Sequence, residues 1–232
     1  MKYKLILLFV LPFTSLVSGY SQPFSLYVET GIGTYNMKNM RDLNSQILKD
    51  LPFEARAVYN FQPWFYYKLS GLFTHSLEWQ SGPGLEIIAA GSRISRKDYS
   101  GEYRFDLKAY SFSPYYEVKR KVPLSDGWYG DLGALVGARM SNLFINEYFK
   151  LGTENDEDSQ DLVSLNFFAG PSASFGKRIK SIILELNIGY EIDFLKSGLM
   201  EQGNVENITF RHGKQLDWSG FRFGLALGYS KE

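Results

Sequence analysis

The sequence contains no cysteine and only two histidines, His75 and His212, which lie far apart. The absence of cysteine excludes disulfide bonds, thiolate metal sites, a cysteine nucleophile and the acylated N-terminal cysteine of a lipoprotein. Phosphate-binding glycine loops, nucleophile elbows and zinc-ligand spacings are absent as well. We therefore predict no cofactor, no metal site and no catalytic residue.

Neither sign of charge is in excess, since 25 basic and 25 acidic residues give a formal net charge of +0. A protein that binds nucleic acid over a broad surface needs a surplus of positive charge. We accordingly expect no nucleic-acid partner.

A long apolar run is missing beyond the N-terminal segment, so no transmembrane helix is expected. The N-terminus itself has two lysines, the apolar run Leu5 to Phe13, and small residues that place a cleavage site after Gly19 or Ser21. This pattern is typical of a secretory signal peptide. We predict a cleaved signal peptide over residues 1–21 and one exported domain over residues 22–232.

The feature present in abundance is an alternation of apolar and polar residues with a period of two, in a chain that is 16% aromatic. In the last segment Phe221, Phe223 and Leu225 share one face, whereas Gly220, Arg222 and Gly224 share the other. Such alternation predicts β-strands with one apolar face. Eight segments follow the rule: Phe24 to Gly33, Asn60 to Phe73, Gly84 to Ser95, Tyr110 to Val118, Asp131 to Ser141, Val163 to Gly176, Ser181 to Phe194 and Trp218 to Ser230.

The strand lengths and connections favour a membrane barrel, because about 9 to 11 residues cross a bilayer as a tilted strand. Connections alternate between short ones, such as Gly176 to Lys180, and longer ones, such as Asn36 to Tyr59, Arg96 to Tyr103, Lys150 to Gln160 and Lys196 to Asp217. We predict an all-β fold, an eight-stranded antiparallel up-and-down transmembrane β-barrel. Aromatic residues near strand ends, including Trp64 to Tyr67, Tyr115, Trp128, Tyr129 and Trp218, are expected to form girdles at the headgroups or to fill a core.

Two loops carry distinct patterns. Between Asn36, a possible N-cap, and Pro52, apolar residues recur with helical spacing, which predicts a short helix packed as a cap on the extracellular rim or mouth: Met37, Met40, Leu43, Ile47, Leu48 and Leu51. A gate or a partner-binding helix is the alternative. The run Glu154 to Asp158 is interpreted as a solvated, mobile acidic loop, because its spacing matches no known calcium loop.

A set of charged residues shares the inward face of the predicted strands: Glu29, Lys68, Glu86, Glu117, Asp131, Arg139, Glu185, Glu191, Asp193 and Arg222. A narrow barrel has its lumen filled by side chains, and charges enclosed there must pair or keep water. The set is therefore predicted to form an internal salt-bridge network. General acid/base catalysis by paired carboxylates is the alternative, but no nucleophile is placed beside them.

The stretch Gly91 to Arg104 resembles a motif of uncharacterised outer-membrane β-barrel proteins of Bacteroidota. The sequence Asn60-Phe61-Gln62-Pro63, the helical first loop and the closing strand Phe223 to Tyr229 are similar to that group too, so the resemblance covers nearly the whole exported domain. It implies the fold and a cell outer-membrane location, and it brings no catalytic residues.

The leading hypothesis is an outer-membrane barrel with a structural, envelope or extracellular-binding role, surrounded by outer-membrane lipid. Its partner, extracellular or periplasmic, is not identified by the sequence. The loop residues expected to be exposed are Arg96, Asp98, Tyr99, Glu102, Tyr103 and Arg104, together with the loop from Lys196 to Asp217. The alternatives are a passive small-solute pore, an outer-membrane enzyme, and a soluble lipocalin-like barrel with its apolar faces turned inward.

Overall fold

The computed structural model describes residues 23–99, 101–201 and 214–231, so the predicted signal peptide lies outside the described residues. The chain forms ten strands and one helix over these ranges. The elements are β1 (Phe24–Gly33), α1 (Lys38–Asp50), β2 (Arg56–Asn60), β3 (Trp64–Thr74), β4 (Trp79–Lys97), β5 (Gly101–Pro123), β6 (Trp128–Leu151), β7 (Glu154–Ile179), β8 (Ile182–Lys196), β9 (Met200–Glu201) and β10 (Gly220–Lys231). None of the described helical residues forms a segment long and apolar enough to cross a membrane.

Eight of the strands close into a ring in the order β1, β3, β4, β5, β6, β7, β8, β10, with every pair antiparallel. The ring closes where β1 meets β10, with Phe24 opposite Lys231 and Gly33 opposite Arg222. The two remaining strands are short additions: β2 pairs with the upper part of β4, and β9 pairs with β7. The predicted fold class, an eight-stranded antiparallel barrel with one short helix, is confirmed.

The apolar faces of the strands point outward. Leu225 is 62% exposed and Leu186 is 59% exposed, whereas their neighbours Arg222 and Glu185 are 2% and 3% exposed. A soluble lipocalin-like barrel needs the reverse arrangement, with apolar side chains around an internal ligand. The lipocalin-like alternative is therefore wrong.

Four strands continue beyond the apolar band. With the short turns 75–78, 124–127 and 180–181 placed at the bottom, β4 to β7 rise above the other strands as two tall hairpins. The connections predicted as long loops, Arg96 to Tyr103 and Lys150 to Gln160, are instead strands joined by tight turns near Tyr99 and Gly152. Likewise the acidic run Glu154 to Asp158 belongs to β7 and pairs with β6, so the prediction of a mobile loop is wrong.

Above the apolar band the two faces of the sheet exchange character, so that the apolar side chains point inward. On β5, Tyr110 and Phe112 point outward in the band, but higher up the buried inward residues are apolar and include Phe105 and Leu107. Lys108 lies on the outward face at that height. Such an exchange is expected for a barrel whose lower part is surrounded by lipid and whose upper part is surrounded by water. Apolar side chains point outward into hydrocarbon in a bilayer, but they pack inward where the outside is aqueous.

Helix α1 fills the mouth of this upper sheet. Met40 on α1 and Met37 before it are fully buried in one apolar cluster with Phe61, Leu107 and Trp218. Burying each such side chain stabilises the fold by about 1.5 to 3 kcal/mol. We call this apolar cluster, with α1 and the segment 214–219, the cap.

Two local predictions about this region are corrected. The residue before the helix is Met37, in a left-handed conformation with φ 43° and without a capping hydrogen bond from its side chain, whereas Asn36 donates to Asp217 Oδ2 at 2.8 Å. The strand predicted from Asn60 begins at Trp64, and Phe61, within the predicted range, is buried before the strand with φ 48°. In both places packing in the cap overrides the local sequence pattern.

The aromatic residues near strand ends divide between the two faces. Trp64 and Trp128 are exposed, as a girdle requires, but Trp218 and Tyr66 are fully buried inside and Tyr115 nearly so. Small residues make room for the inward rings: a Cβ at Gly84 would lie 2.2 Å from Cζ of Tyr115. The expectation of a girdle therefore holds for only part of the set.

Candidate functional site

All ten charged residues predicted on the inward face line the lumen, and eight of them are buried, with Glu29 and Lys68 partly exposed. They separate into two groups at different heights. The upper group, here called the central ion network, holds three cations and three carboxylates: Lys68, Arg139, Arg222, Glu86, Glu191 and Asp193. The lower group, here called the lower chamber, contains Glu29, Glu117, Asp131 and Glu185.

Arg139 stands at the centre of the ion network and is fully buried. Its guanidinium donates through Nη2 to Glu86 at 2.7 Å and to Glu191 at 2.6 Å, and through Nη1 to Asp193 at 2.8 Å. Its Nε donates to Ser113 Oγ at 3.0 Å. A planar fork with five N–H groups suits this arrangement, because it can engage several carboxylates at once in fixed directions.

The other two cations complete the balance of charge. Arg222 donates to Glu86 Oε1 at 3.2 Å and to Glu191 Oε2 at 3.0 Å, while Lys68 donates to Glu191 Oε1 at 2.9 Å. Each of the two glutamates thus bridges both arginines. Since three positive charges face three negative charges, the network offsets the desolvation of its own members, which is the condition for burying charge in a narrow lumen.

The lower chamber contains a lysine that the sequence analysis missed. Lys119 points inward and is nearly buried, with its Nζ 3.6 Å from Glu117 and 3.7 Å from Glu185. Tyr129 donates to Glu185 Oε1 at 2.7 Å, and Ser174 donates to Asp131 Oδ2 at 3.1 Å. Lys119 has the same parity along β5 as Glu117, so the period of two already contained the signal.

Within the lower chamber, Glu29 is held by two neutral donors. The Tyr66 hydroxyl donates a short hydrogen bond to Glu29 Oε1, and Asn187 Nδ2 donates to its Oε2 at 2.6 Å. These neutral donors were also missed by the sequence analysis, which considered only charged residues. Both lie on the inward face of their strands, where a buried carboxylate needs donors.

The cap is tied to the central ion network through Trp218. Its backbone N–H donates to Asp193 Oδ2 at 2.9 Å, and its carbonyl accepts from Arg222 Nη2 at 3.1 Å. The indole Nε1 donates to Ser141 Oγ at 3.0 Å, and the ring packs edge-on against Tyr35 with centroids 5.3 Å apart. Direct hydrogen bonds therefore connect the cap to the central ion network below it.

Asp217 fastens the segment 214–219 to the rest of the mouth. Lys196 Nζ donates to its Oδ2 at 2.5 Å, and the Ser219 backbone N–H donates to its Oδ1 at 3.1 Å. Burial acts to raise the pKa of Asp217, but these hydrogen bonds outweigh it and hold the pKa below its usual value of 3.8. The carboxylate is ionised at neutral pH and serves as a fixed acceptor.

The lumen is closed at several heights in the part of the chain that the structure describes. At the bottom, Tyr27, Leu72, Tyr129 and Ile183 form a small buried cluster. The lower chamber, the central ion network and the cap follow above it. This filling is what an eight-stranded barrel is expected to contain, whereas water-filled channels belong to barrels of about 16 to 18 strands.

The residues predicted to form an exposed loop occupy the β4–β5 hairpin instead. Tyr99 at its tip is fully exposed, and Arg96 pairs with Asp98 at 2.8 Å. Lys97 Nζ donates to Glu102 at 3.0 Å and holds the pKa of this exposed carboxyl below its usual range.

Two of these residues are not free surface. Tyr103 is buried on the inward face, where its ring packs edge-on against Phe53 at 5.3 Å. Arg104 lies on the outward face, 3.4 Å from Asp106 and with its guanidinium 5.4 Å from the Tyr148 ring. The prediction that Tyr103 belongs to an exposed loop is wrong, because strand pairing continues through this stretch and turns its side chain into the cap.

Comparisons with known proteins were made at the levels of sequence and of fold. No protein-family model and no curated protein matches the chain. Among solved structures, the chain is similar to Ail, the attachment invasion locus protein of Yersinia pestis, with 10% identity, a TM-score of 0.40, and coverage of 90% of this chain and 100% of that one. It is also similar to Neisserial surface protein A, with 11% identity, a TM-score of 0.39, and coverage of 91% and 99%.

Likenesses at this level carry no argument about function. The architecture rests on the closed ring of antiparallel strands and on the outward apolar band of this chain itself.

Proposed function

We propose that the protein is an integral barrel of the bacterial outer membrane, of the kind found in Bacteroidota, and that its role is carried by the extracellular cap and hairpins. The observation behind this proposal is the combination of an outward apolar band with a lumen packed by paired charges. A band of apolar side chains around a closed barrel is suited to hydrocarbon. A lumen of this kind supports the structure and leaves little room for transport.

The inversion of the sheet above the band supports an extracellular platform. The tall hairpins β4–β5 and β6–β7 bury their own apolar core against α1, so they are held as a rigid folded unit. Outer-membrane barrels place their longer connections on the extracellular side. The exposed surface offered there includes the hairpin tips at Tyr99 and Gly152. Binding by this platform, or support of the envelope, is the role that we assign to the protein.

The orientation can be tested by cysteine labelling, since the native chain contains no cysteine. The variant Tyr99→Cys places a thiol at the upper hairpin tip, and Ser125→Cys places one in a bottom turn as the matched control. A membrane-impermeant maleimide should label the first variant on intact cells, and the second only after the outer membrane is permeabilised. Labelling of Ser125→Cys alone on intact cells would refute the proposed orientation.

The absence of transport can be tested in planar lipid bilayers. The full mature protein should insert without producing unitary conductance steps, whereas a porin of about 16 strands, used as the positive control, should conduct. Fractionation of the same cells should place the protein in the outer-membrane fraction and require detergent for its extraction. Regular conductance steps, or recovery as a detergent-free soluble protein, would contradict the proposal.

A further inference from the structure

The charges of the lower chamber do not balance, in contrast to those of the central ion network. Among the described residues, the four carboxylates Glu29, Glu117, Asp131 and Glu185 line the chamber with Lys119, and a second ammonium group, that of Lys121, lies 4.1 Å from the centre of the Tyr129 ring. The chamber lies inside the ring of strands, and Glu117, Asp131 and Glu185 are buried there. Burying two surplus negative charges lowers the stability of the folded protein unless a further positive charge binds beside them.

Two of the carboxylates have one oxygen engaged and one free of hydrogen bonds. Asp131 accepts from Ser174 at Oδ2, and Glu185 accepts from Tyr129 at Oε1. Asp131 Oδ1 and Glu185 Oε2 have no hydrogen-bond partner among the described residues, although both side chains are 3% exposed. The nearest cation to Glu185 Oε2 is Lys119 Nζ at 3.7 Å, beyond hydrogen-bond distance.

The buried hydroxyl of Tyr27 also lacks a hydrogen-bond partner in the described part of the chain. Tyr27, Asp131 and Glu185 all line one cavity of about 30 Å³. That volume holds one or two particles of the size of a water molecule. Three of the residues that line the cavity therefore carry a buried oxygen atom without a hydrogen-bond partner among the described residues, and the cavity has room for a single small ion.

We propose that the lower chamber binds one monovalent cation, an alkali-metal ion, through Asp131 and Glu185 with the Tyr27 hydroxyl as a further ligand. An all-oxygen ligand set suits a hard cation. A divalent ion fits less well, because calcium takes 6 to 8 oxygen ligands and magnesium keeps several waters, for which the cavity has no room. The proposed site has two carboxylates and one hydroxyl, and the described residues contain no larger group, of three or more acidic or imidazole side chains, placed to hold a metal ion.

The proposed site lies deep in the lumen. The cluster of Tyr27, Leu72, Tyr129 and Ile183 lies below the chamber, and the central ion network lies above it. We therefore expect the ion to exchange slowly with the solvent once the barrel has folded. An experiment on this site has to supply the cation during refolding.

The decisive experiment uses rubidium as a probe with anomalous scattering. The full mature protein is refolded from urea into detergent in rubidium chloride and crystallised in the same salt. We expect an anomalous peak in the lower chamber, in contact with both Asp131 and Glu185. The absence of a peak there would overturn the proposal.

A second measurement tests the ligands without crystals. The melting temperature of protein refolded in rubidium or sodium chloride should exceed that of protein refolded in N-methylglucamine chloride at equal ionic strength by a few degrees. Asp131→Asn and Glu185→Gln should each abolish this difference, and Glu78→Gln should keep it, since Glu78 forms an exposed ion pair with Arg120 outside the barrel.

Persistence of the cation effect in both chamber variants would refute the assignment, because the ion would then bind elsewhere. Protons could instead supply the missing charge. In that case the wild type shows no cation effect, and an infrared band of a protonated carboxyl disappears in Asp131→Asn or Glu185→Gln. That result would also overturn the proposal.

Discussion

Replacing Arg139 by methionine tests whether the central ion network holds the barrel together. Methionine retains much of the side-chain length but removes the charge that Glu86, Glu191 and Asp193 share. The two glutamates keep Arg222 and Lys68 as cationic partners, so they lose only part of their stabilising ion pairs. Asp193 loses its one cationic partner among the described residues and is left as a buried negative charge.

The expected loss follows from that unpaired charge, of which only Oδ2 keeps hydrogen bonds, from the Trp218 backbone N–H and from Asn166 Nδ2. Removing one member of a buried ion pair typically costs about 3 to 5 kcal/mol of unfolding free energy, because the partner stays desolvated without compensation. We expect a loss of this size for Arg139→Met. Adding Asp193→Asn restores neutrality, and the double variant should regain about 1 to 3 kcal/mol relative to the single variant.

The assay is urea-induced unfolding of the protein in phospholipid vesicles, followed by tryptophan fluorescence and by the gel mobility of unheated samples. Arg120→Met serves as the matched control, because Arg120 pairs with Glu78 on the exposed bottom rim at 3.0 Å. Such an exposed pair contributes about 1 kcal/mol or less. A cost for Arg139→Met as small as that of the control, or a double variant less stable than the single one, would refute the reasoning.

Three further predictions concern the cap and the apolar band. Trp218→Phe should lose about 1 kcal/mol with its hydrogen bond to Ser141, and Trp218→Ala about 3 to 5 kcal/mol through the cavity it leaves, as measured by the same urea titration. Phe112→Arg places a charge in the lipid-facing band and should cost about 2 to 4 kcal/mol, whereas Ser159→Arg on the exposed upper hairpin should be nearly neutral; equal costs would contradict the position of the band. Asp217→Asn should cost about 1 to 3 kcal/mol at neutral pH. The pKa of Asp217 is lower in the folded protein than its usual value of 3.8, so this contribution is fully present above pH 3.8 and is lost as the pH falls through the lower folded pKa. The difference in unfolding free energy between variant and wild type should therefore stay constant from neutral pH downward and disappear only below pH 3.8. A difference that closes near neutral pH would contradict this assignment.

The lower part of the barrel could be predicted in detail from the sequence, because a period of two assigns each side chain to one face. Arg222 and Glu185 were assigned correctly to the inside by parity alone. The same parity holds for Lys119, but the predicted strand ends at Val118 and the strand in the structure runs on to Pro123. The upper part could not be predicted in this way. Tyr103 and Phe105 keep the period of two. In the apolar band this period places apolar side chains outside, whereas above the band it places them inside.

The sequence by itself determined the strands of the apolar band, the number of strands in the ring and the face on which each charge of that band lies, since these depend only on local periodicity and on backbone hydrogen bonds that must close. The tertiary structure alone decided which charges meet. Glu86, Arg139 and Glu191 come from three different strands, and their contacts depend on the stagger with which the ring closes. It also decided that Trp218, 77 residues from Ser141, turns into the mouth as part of the cap, because only the assembled barrel offers a donor, an acceptor and an apolar cavity at that point.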